Sequence, residues 1–214
     1  MTLNPTTKYC KICFKRMEIY DMCRLFDADV CVCQQCQDEL NPKFKSFRVD
    51  GYKALAIYEY TPFIKKLIYQ YKGCFDYELN ETFLNLYIKE IKLRFHGYKI
   101  IPIPSYIEDD KKRGFNHVVE AFKKLDLEVL PIITKTAHQK QADKSAKKRK
   151  EINKYLAFNE KIDLKNTKVL LVDDIYTTGN TMKAVINMVE KLNPKEIRVL
   201  VLAKTGDKGF EKVN

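Results

Sequence analysis

The chain lacks the long apolar runs that a membrane span or a secretory signal would need. Nowhere do about eighteen apolar residues follow one another, which is the length a helix needs to cross a bilayer. The opening residues, MTLNPTTK, contain no apolar stretch like the core of a signal peptide. We therefore expect a cytoplasmic protein, and in that compartment cysteines seldom form a disulfide framework.

Glycine is also scarce, and its placement excludes a common phosphate-binding loop. None of the seven glycines begins a G-x-x-x-x-G-K-[ST] motif, so the loop with which P-loop ATPases hold ATP is absent. Internal repeats and low-complexity tracts are absent as well. What remains is a chain of 214 residues, 45% of them hydrophobic, which suffices for one substantial core and a small additional module.

Acidic residues are too few to balance the basic ones. The chain has 28 aspartates and glutamates against 39 lysines and arginines, which gives a net charge of +11. Residues 134–154 form its most basic stretch, in which Lys147, Lys148 and Arg149 are the candidate contacts for a nucleic acid. The alternative is an ordinary solvated surface rich in lysine.

Residues 1–48 lack a long periodic apolar pattern, so side chains alone cannot build a core there. They do contain two C-x₂-C pairs: Cys10 with Cys13, and Cys33 with Cys36. Their separation is typical of a structural four-cysteine zinc site, in which metal binding supplies the folding free energy. Cys31 could compete with Cys33 as a ligand, and a redox C-x-x-C is the main alternative. We expect Cys74 to be a small buried residue.

From Tyr52 onward the pattern becomes that of an α/β domain. The predicted strands are YKALAIYEY, residues 99–104, residues 168–172, a strand from Ile197, and LEVLPII as a weaker candidate. The predicted helices start at Thr61 or Pro62, at about residue 80 and at about Asn116, with another around residues 182–189. DDKKRGFNH is predicted to be a loop. Apolar strands alternating with helices predict a parallel sheet covered on both faces, with a boundary near residues 47–52.

The segment VLLVDDIYTTGNT carries the chemistry of the main domain. It brings Asp173 and Asp174 to the carboxyl end of a buried strand, where ligands bind in open α/β sheets. The loop after them consists of Thr177, Thr178, Gly179, Asn180 and Thr181. Its N–H groups and hydroxyls precede a helix N-terminus, which favours a phosphate. Paired carboxylates beside a phosphate require a ligand with hydroxyls or a cation, such as a ribose phosphate chelated by Mg²⁺.

Two other protein classes also have acidic residues at a strand end. A Walker B strand needs a phosphate loop, which this chain lacks. A receiver domain has its acidic pair near the start of its fold, whereas too little chain follows Asp173 for that.

An acidic pair followed by Thr-Gly-x-Thr resembles the motif with which type I phosphoribosyltransferases bind 5-phosphoribosyl 1-pyrophosphate (PRPP). The resemblance implies that Asp173 and Asp174 contact the ribose hydroxyls and that Thr177 to Thr181 hold the 5′-phosphate. In the 6-oxopurine salvage enzymes of that family, an Asp that is the candidate general base stands where this chain has Thr177. Salvage of hypoxanthine or guanine is therefore not expected.

The two cysteine pairs, RGFNH and the PRPP motif, in this order, resemble the ComF family (competence protein F, ComFC and GntX-like proteins). Further matching pieces are Tyr71-Lys72 and Asp76, the prolines of IPIP, Arg113 to Asn116, Gln141, Arg149 and Asn153. The chain departs from the family pattern at Phe75, where the family's lysine loop has Gly, and at His117, where it has Gln.

This resemblance implies a type I phosphoribosyltransferase fold, a mainly parallel twisted sheet flanked by helices, over residues 49–214, and a zinc module over residues 1–48. It also implies a competence factor for DNA uptake in natural transformation, which binds PRPP with Mg²⁺, contacts single-stranded DNA and acts with the competence helicase. Lys72 and Arg113 are the candidate cations for the departing pyrophosphate. The alternatives are a phosphoribosyltransferase with an unidentified acceptor and a non-enzymatic adaptor that contains zinc.

Overall fold

The computed structural model describes residues 8–17, 30–135, 155–159 and 162–206. Its strands are β1 (Lys45–Val49), β2 (Tyr52–Glu59), β3 (Tyr98–Pro102), β4 (Ile133–Lys135), β5 (Leu156–Phe158), β6 (Lys168–Tyr176) and β7 (Glu196–Lys204). Five of them form one sheet in the order β1-β2-β7-β6-β3, in which every neighbouring pair is parallel except β1 with β2. The short strands β4 and β5 pair with each other, antiparallel.

The helices are α1 (Gln34–Leu40), α2 (Pro62–Gly73), α3 (Asn80–Leu84), α4 (Ile88–Arg94), α5 (Ile107–Arg113), α6 (His117–Phe122) and α7 (Asn180–Glu190). Short 3₁₀ turns follow α2, α3 and α6. Helix α2 begins where the sequence predicts it, because the Thr61 hydroxyl accepts a hydrogen bond from the Ile64 N–H and Pro62 fits the first helical position. Among the described residues, no helix is long and apolar enough to cross a membrane.

Alternate residues of the central strands face two apolar cores. Leu170 and Leu200 pack in a core with α2, α3, α4 and α6, whereas Val169 and Val199 pack in a second core with α7, β4 and β5. The cysteine-rich segment joins the first core, to which it contributes Cys10, Cys36 and Leu40, among others. The prediction of a mainly parallel sheet with helices on both faces is confirmed.

Three local predictions differ from the structure. The helical pattern after residue 80 is two helices, α3 and α4, separated by the 3₁₀ turn Asn85–Tyr87. The predicted loop DDKKRGFNH contains most of α5, which has acidic residues in its first turn, basic residues in its last, and Gly114 at φ 83° after it. In LEVLPII, Val129 makes only an isolated bridge to Ile100, and β4 begins at Ile133, after Pro131.

The antiparallel edge strand β1 was not predicted. A tight turn at Asp50 and Gly51, both with positive φ, joins it to β2. The Asp-Gly pair is a hairpin signal, but β1 is short and mostly exposed, so its apolar pattern is weak. The predicted boundary between residues 48 and 49 falls inside β1, which belongs to the main sheet. The division into a module of residues 1–48 and a domain of residues 49–214 therefore stays a prediction.

Candidate functional site

The acidic pair and the threonine loop lie at the carboxyl end of β6. The strand continues through both aspartates to Tyr176, and α7 begins at Asn180. Gly179 joins them at φ 70°, in the left-handed region that favours glycine, and a Cβ there would force the Tyr176 side chain to shift. Thr177 and Thr178 are exposed and can reach a ligand.

Asp174 is buried and lies between two basic side chains. Its Oδ2 is 2.5 Å from Lys72 Nζ, near the end of α2, and 3.3 Å from His117 Nε2, at the start of α6. Its other oxygen, Oδ1, accepts the Ile175 N–H at 2.7 Å. Burial raises the pKa of Asp174, but the hydrogen bond from His117 and the charge of Lys72 outweigh it, so the net pKa is lowered.

Asp173 has the opposite electrostatic environment. Burial and the neighbouring charge of Asp174 raise its pKa well above the usual carboxyl value, although the Asp174 N–H donates to its Oδ1 at 2.9 Å. Without a ligand the pair therefore favours one negative charge, held on Asp174. Hydroxyl groups of a bound sugar could donate to both carboxylates, and a cation could offset the second charge.

Asp110 connects the residues around Lys72. It accepts hydrogen bonds from Arg113 Nη1 at 2.7 Å, from Asn116 Nδ2 at 2.8 Å and from the Ser105 hydroxyl. Arg113 in turn donates from Nε to the Lys72 carbonyl at 2.9 Å.

Arg113 also faces the histidine. Its Nη1 lies 3.1 Å from His117 Nδ1, and the Tyr71 hydroxyl donates to the His117 carbonyl at 2.8 Å. Only 8% of the Arg113 side chain is exposed. Arg113 thus fixes the end of α2 and the imidazole ring through contacts within the protein.

The predicted PRPP-site residues therefore come together around the end of β6. Asp110 and His117 were missed as part of this site. His117 belongs to the RGFNH motif, but its contact with Asp174 depends on how α6 meets β6. Asp110 is three residues before Arg113, a spacing that brings side chains together only on a helix, and this segment was predicted to be a loop.

The candidate nucleic-acid contacts, Lys147, Lys148 and Arg149, lie outside the described residues. The same holds for Gln141 and Asn153, which also match the family pattern.

The lysine loop, residues 72–76, contains a strained backbone. Phe75 has φ 64°, which a residue with a Cβ seldom adopts, and its side chain is 49% exposed. Its conformation is the one that the family's glycine would adopt without strain.

The expectation that Cys74 is buried is wrong, because this residue is exposed. Its backbone N–H caps α2 by donating to the carbonyls of Tyr69 and Gln70, and its side chain faces solvent.

The four cysteines predicted to bind zinc lie together. The Sγ atoms of Cys10, Cys13, Cys33 and Cys36 are all within 4.8 Å of one another, and those of Cys13 and Cys33 are 3.6 Å apart. A tetrahedral zinc site with Zn–S bonds of about 2.3 Å has S–S edges of about 3.8 Å. The cluster can therefore hold a metal ion of this kind.

Backbone groups support the cluster. Burial raises the pKa of Cys10, but hydrogen bonds from the backbones of Cys33, Cys13 and Ile12 outweigh it and lower this pKa to about 7.

Cys31, the alternative ligand, lies apart from the cluster. Its Sγ is 3.9 Å from the Glu81 carbonyl oxygen and accepts a hydrogen bond from Asn85 Nδ2 at 3.6 Å. Burial raises its pKa, so it remains a thiol.

The sequence of the chain is similar to one known protein family and to two competence proteins. Residues 111–214 match the family described as "Phosphoribosyl transferase domain". The Competence protein ComFC of Streptococcus pneumoniae is 28% identical over 155 residues, which cover 72% of this chain and 69% of that protein. The Competence protein F of Haemophilus influenzae is 30% identical over 168 residues, 71% of this chain and 72% of that protein. The chain belongs to the competence protein F (ComF) family.

The ComF assignment accounts for the order of motifs along the chain. Among solved structures, a hypoxanthine phosphoribosyltransferase from Staphylococcus aureus aligns with a TM-score of 0.40 and 9% identity, over 63% of this chain and 68% of that one. In this ComF protein the phosphoribosyltransferase match begins in α5 and includes the acidic pair and the threonine loop.

Proposed function

We propose that the protein binds PRPP with Mg²⁺ at residues 173–181 and acts as a competence factor in the uptake of DNA. The observation that carries the proposal is the position of Asp174, at the strand end, beside Lys72 and next to the threonine loop. One site thus contains acceptors for ribose hydroxyls, N–H donors for a phosphate and a cation for the pyrophosphate.

Each group has a distinct role when PRPP binds. Asp173 and Asp174 accept hydrogen bonds from the 2′- and 3′-hydroxyls, and the N–H groups and hydroxyls of residues 177–181 donate to the 5′-phosphate. Lys72 moves from Asp174 to the pyrophosphate as the ribose hydroxyls replace it. His117 stays hydrogen-bonded to Asp174, so the carboxylate remains ionised after Lys72 has left. Mg²⁺ bound with PRPP supplies positive charge to the pyrophosphate.

Arg113 acts through Lys72 in this proposal. The sequence motif makes it a candidate phosphate ligand, but its Nε and Nη1 already bond the Lys72 carbonyl and Asp110. It therefore serves as a positioning residue that keeps the lysine loop in place. Because the oxocarbenium-like transition state of ribosyl transfer mainly requires a held substrate and a neutralised leaving group, these roles also suit catalysis.

The competence part of the proposal rests on the family and on charge. The two relatives named above are competence proteins, and the chain has a large excess of basic residues. We assign Lys147, Lys148 and Arg149 to single-stranded DNA and a ComFA-like competence helicase as the partner. Zinc at the four cysteines would hold the N-terminal segment against the core.

Calorimetric titration of PRPP in the presence of Mg²⁺ tests the site. Asp174→Asn should abolish binding, since it removes the acceptor charge that orders Lys72 and the ribose. Asp126→Asn is the matched control, because Asp126 has a 90% exposed side chain and a left-handed backbone that Asn tolerates. Unchanged affinity in Asp174→Asn would remove the site assignment.

A second titration isolates Lys72. Lys72→Met should weaken binding of PRPP by roughly tenfold or more, the size expected for one charge-assisted contact. It should leave binding of ribose 5-phosphate within about twofold, because that ligand lacks the pyrophosphate. Equal losses for both ligands would mean that Lys72 does not contact the pyrophosphate.

Turnover separates the enzymatic from the adaptor form of the function. The protein is incubated with PRPP, Mg²⁺ and either single-stranded DNA or nucleobases, and pyrophosphate release is followed. The position of Lys72 beside the acidic pair favours release. PRPP binding without release would favour a non-enzymatic adaptor that uses the ligand to organise its partner surface.

A further inference from the structure

A row of basic side chains crosses three adjacent strands of the main sheet. Arg48 on β1 is directly opposite Lys53 on β2, and Lys53 is directly opposite Arg198 on β7. Residues directly opposite one another in a sheet project from the same face, at strand spacings of about 4.8 Å. The row therefore presents three cations side by side over about 10 Å.

This row lines a cleft of about 420 Å³. Arg94, the last residue of α4, adds a fourth basic residue to its wall, and the buried residues Leu55 and Phe95 contribute apolar surface. Clefts of a few hundred Å³ with apolar walls and a few charged groups are typical of small-molecule sites. Its size suits a phosphate with an attached nucleoside.

The positive charge of the cleft is poorly compensated within the described part of the chain. Glu196 is the nearby carboxylate, and it already accepts from Arg198 Nε at 2.8 Å. The Tyr98 ring lies beneath both Arg198, at 5.6 Å, and Lys168, at 5.5 Å. Like charges directly opposite in a sheet destabilise it, so an anion would relieve the repulsion within the row.

The remaining cations of the cleft, Arg48, Lys53 and Arg94, have no carboxylate partner among the described residues. Lys53 and Arg94 are exposed and make no ion pair with a described residue. Arg48 uses Nη1 to donate to the Gly51 carbonyl at 2.7 Å, which orients its guanidinium beside the hairpin. Guanidinium groups bind phosphate oxygens in pairs, whereas an ammonium group adds a point charge.

We propose that this cleft is a second anion site, which binds the phosphate of a nucleotide or of a nucleic-acid strand. It is distinct from the PRPP site. In the sheet register Arg198 is opposite Leu170, three residues before Asp173 on β6, towards the other end of the strands. The inference does not depend on PRPP binding.

Two ligands distinguish the sources of the phosphate. ADP is titrated by calorimetry, and a short labelled oligothymidylate is titrated by fluorescence anisotropy. Both titrations use the full chain carrying Asp174→Asn, so that the acidic strand end does not contribute. Because the strand can also bind at Lys147, Lys148 and Arg149, the ligand of the cleft is the one whose affinity the cleft variants weaken: ADP identifies a free nucleotide, and the strand identifies a nucleic acid.

The double variant Lys53→Gln, Arg94→Gln tests the cleft in this background. The Kd of the ligand that binds should rise about tenfold or more, since two contacts with the phosphate are removed. For the strand, the slope of log K against log salt should also fall by about 1.4. The control Lys65→Gln, Lys66→Gln removes the same charge from exposed positions of α2, and its Kd should stay within about twofold of the background.

Thermal unfolding checks that the variants fold, and Arg48→Gln with Lys53→Gln provides a second pair of substitutions in the same row. The proposal is overturned if neither ligand binds. It is equally overturned if both cleft variants keep the Kd of the control for every ligand that does bind.

Discussion

The imidazole of His117 hydrogen-bonds the carboxylate of Asp174, with Nε2 3.3 Å from Oδ2. Both side chains are buried, and the contact joins the start of α6 to the end of β6. The other imidazole nitrogen, Nδ1, is 3.1 Å from Arg113 Nη1. His117 therefore links the acidic pair to the residues that hold the lysine loop, at a position where the family has Gln.

Substitution of His117 tests this link. His117→Gln should keep the PRPP affinity within about threefold, because the amide can still donate to Asp174. His117→Leu should weaken binding about tenfold or more, because it removes a donor from a buried carboxylate. Calorimetry with PRPP and Mg²⁺ measures both variants. If Gln and Leu have the same effect, the hydrogen bond to Asp174 does not contribute to binding.

The acidic pair makes stability depend on pH in two opposite ways. The folded-state pKa of Asp173 is raised, so its contribution is fully present below the ordinary carboxyl pKa of about 4 and is lost as pH rises through the folded-state value. The folded-state pKa of Asp174 is lowered, so its contribution is present above the ordinary value and is lost as pH falls through the folded-state value.

Asp173→Asn should therefore stabilise the ligand-free protein at neutral pH. Because Asn mimics the protonated carboxyl, the Tm at neutral pH should rise by a few degrees, and the decline of stability above the ordinary carboxyl pKa should flatten. Scanning calorimetry from pH 5 to pH 8 measures both effects. A lower Tm than wild type across this range would show that ionised Asp173 stabilises the fold.

The strained backbone at Phe75 gives a prediction about stability. Phe75→Gly should stabilise the protein by about 0.5–1 kcal/mol, because the left-handed conformation costs a residue with a Cβ about 1–2 kcal/mol and glycine loses some of that gain through entropy. Phe75→Ala keeps the strain and should not be stabilising. Denaturant unfolding of both variants decides this, and a Gly variant no more stable than the Ala variant would contradict it.

The cysteine cluster predicts which thiols hold zinc. Purified protein should contain about one zinc ion per chain, and Cys33→Ser should lose it together with several kcal/mol of stability, since metal binding contributes to folding. Cys31→Ser is the matched control, with its sulfur outside the cluster, and should retain the zinc. Metal analysis and thermal unfolding measure both. Loss of zinc from Cys31→Ser with retention in Cys33→Ser would reverse the ligand assignment.

The sequence predicted the central strands because β6 and β7 are buried on both faces and read as continuous apolar runs. It predicted the start of α2 because Thr61 and Pro62 are local signals, and the body of α7 because apolar residues recur at helical spacing from Met182 to Val189; the helix itself begins two residues earlier, at Asn180. It did not predict α5, in which no apolar residue is buried and whose stability depends on end charges and on Asp110 contacts. An unburied helix has no apolar period to detect.

The sequence predicted the part of the site in which the PRPP motif directly continues strand β6. Asp173, Asp174 and the threonine loop follow one another in the chain, so their proximity requires no tertiary information. The contacts of Asp174 with Lys72 and His117 join residues 102 and 57 positions apart, and only the packing of α2 and α6 against β6 determines them. The basic row of Arg48, Lys53 and Arg198 is likewise a product of strand register.

Hydrogen exchange at residues 172–182 tests the central claim most directly. The backbone N–H groups of the threonine loop are the assigned donors to the 5′-phosphate, so saturating PRPP with Mg²⁺ should slow their exchange by about tenfold or more. Peptides from α1, which contributes no residue to the acidic pair or to the basic cleft, should change little. Protection of residues 172–182 in wild type but not in Asp174→Asn is the predicted result, and PRPP binding without protection there would contradict the account.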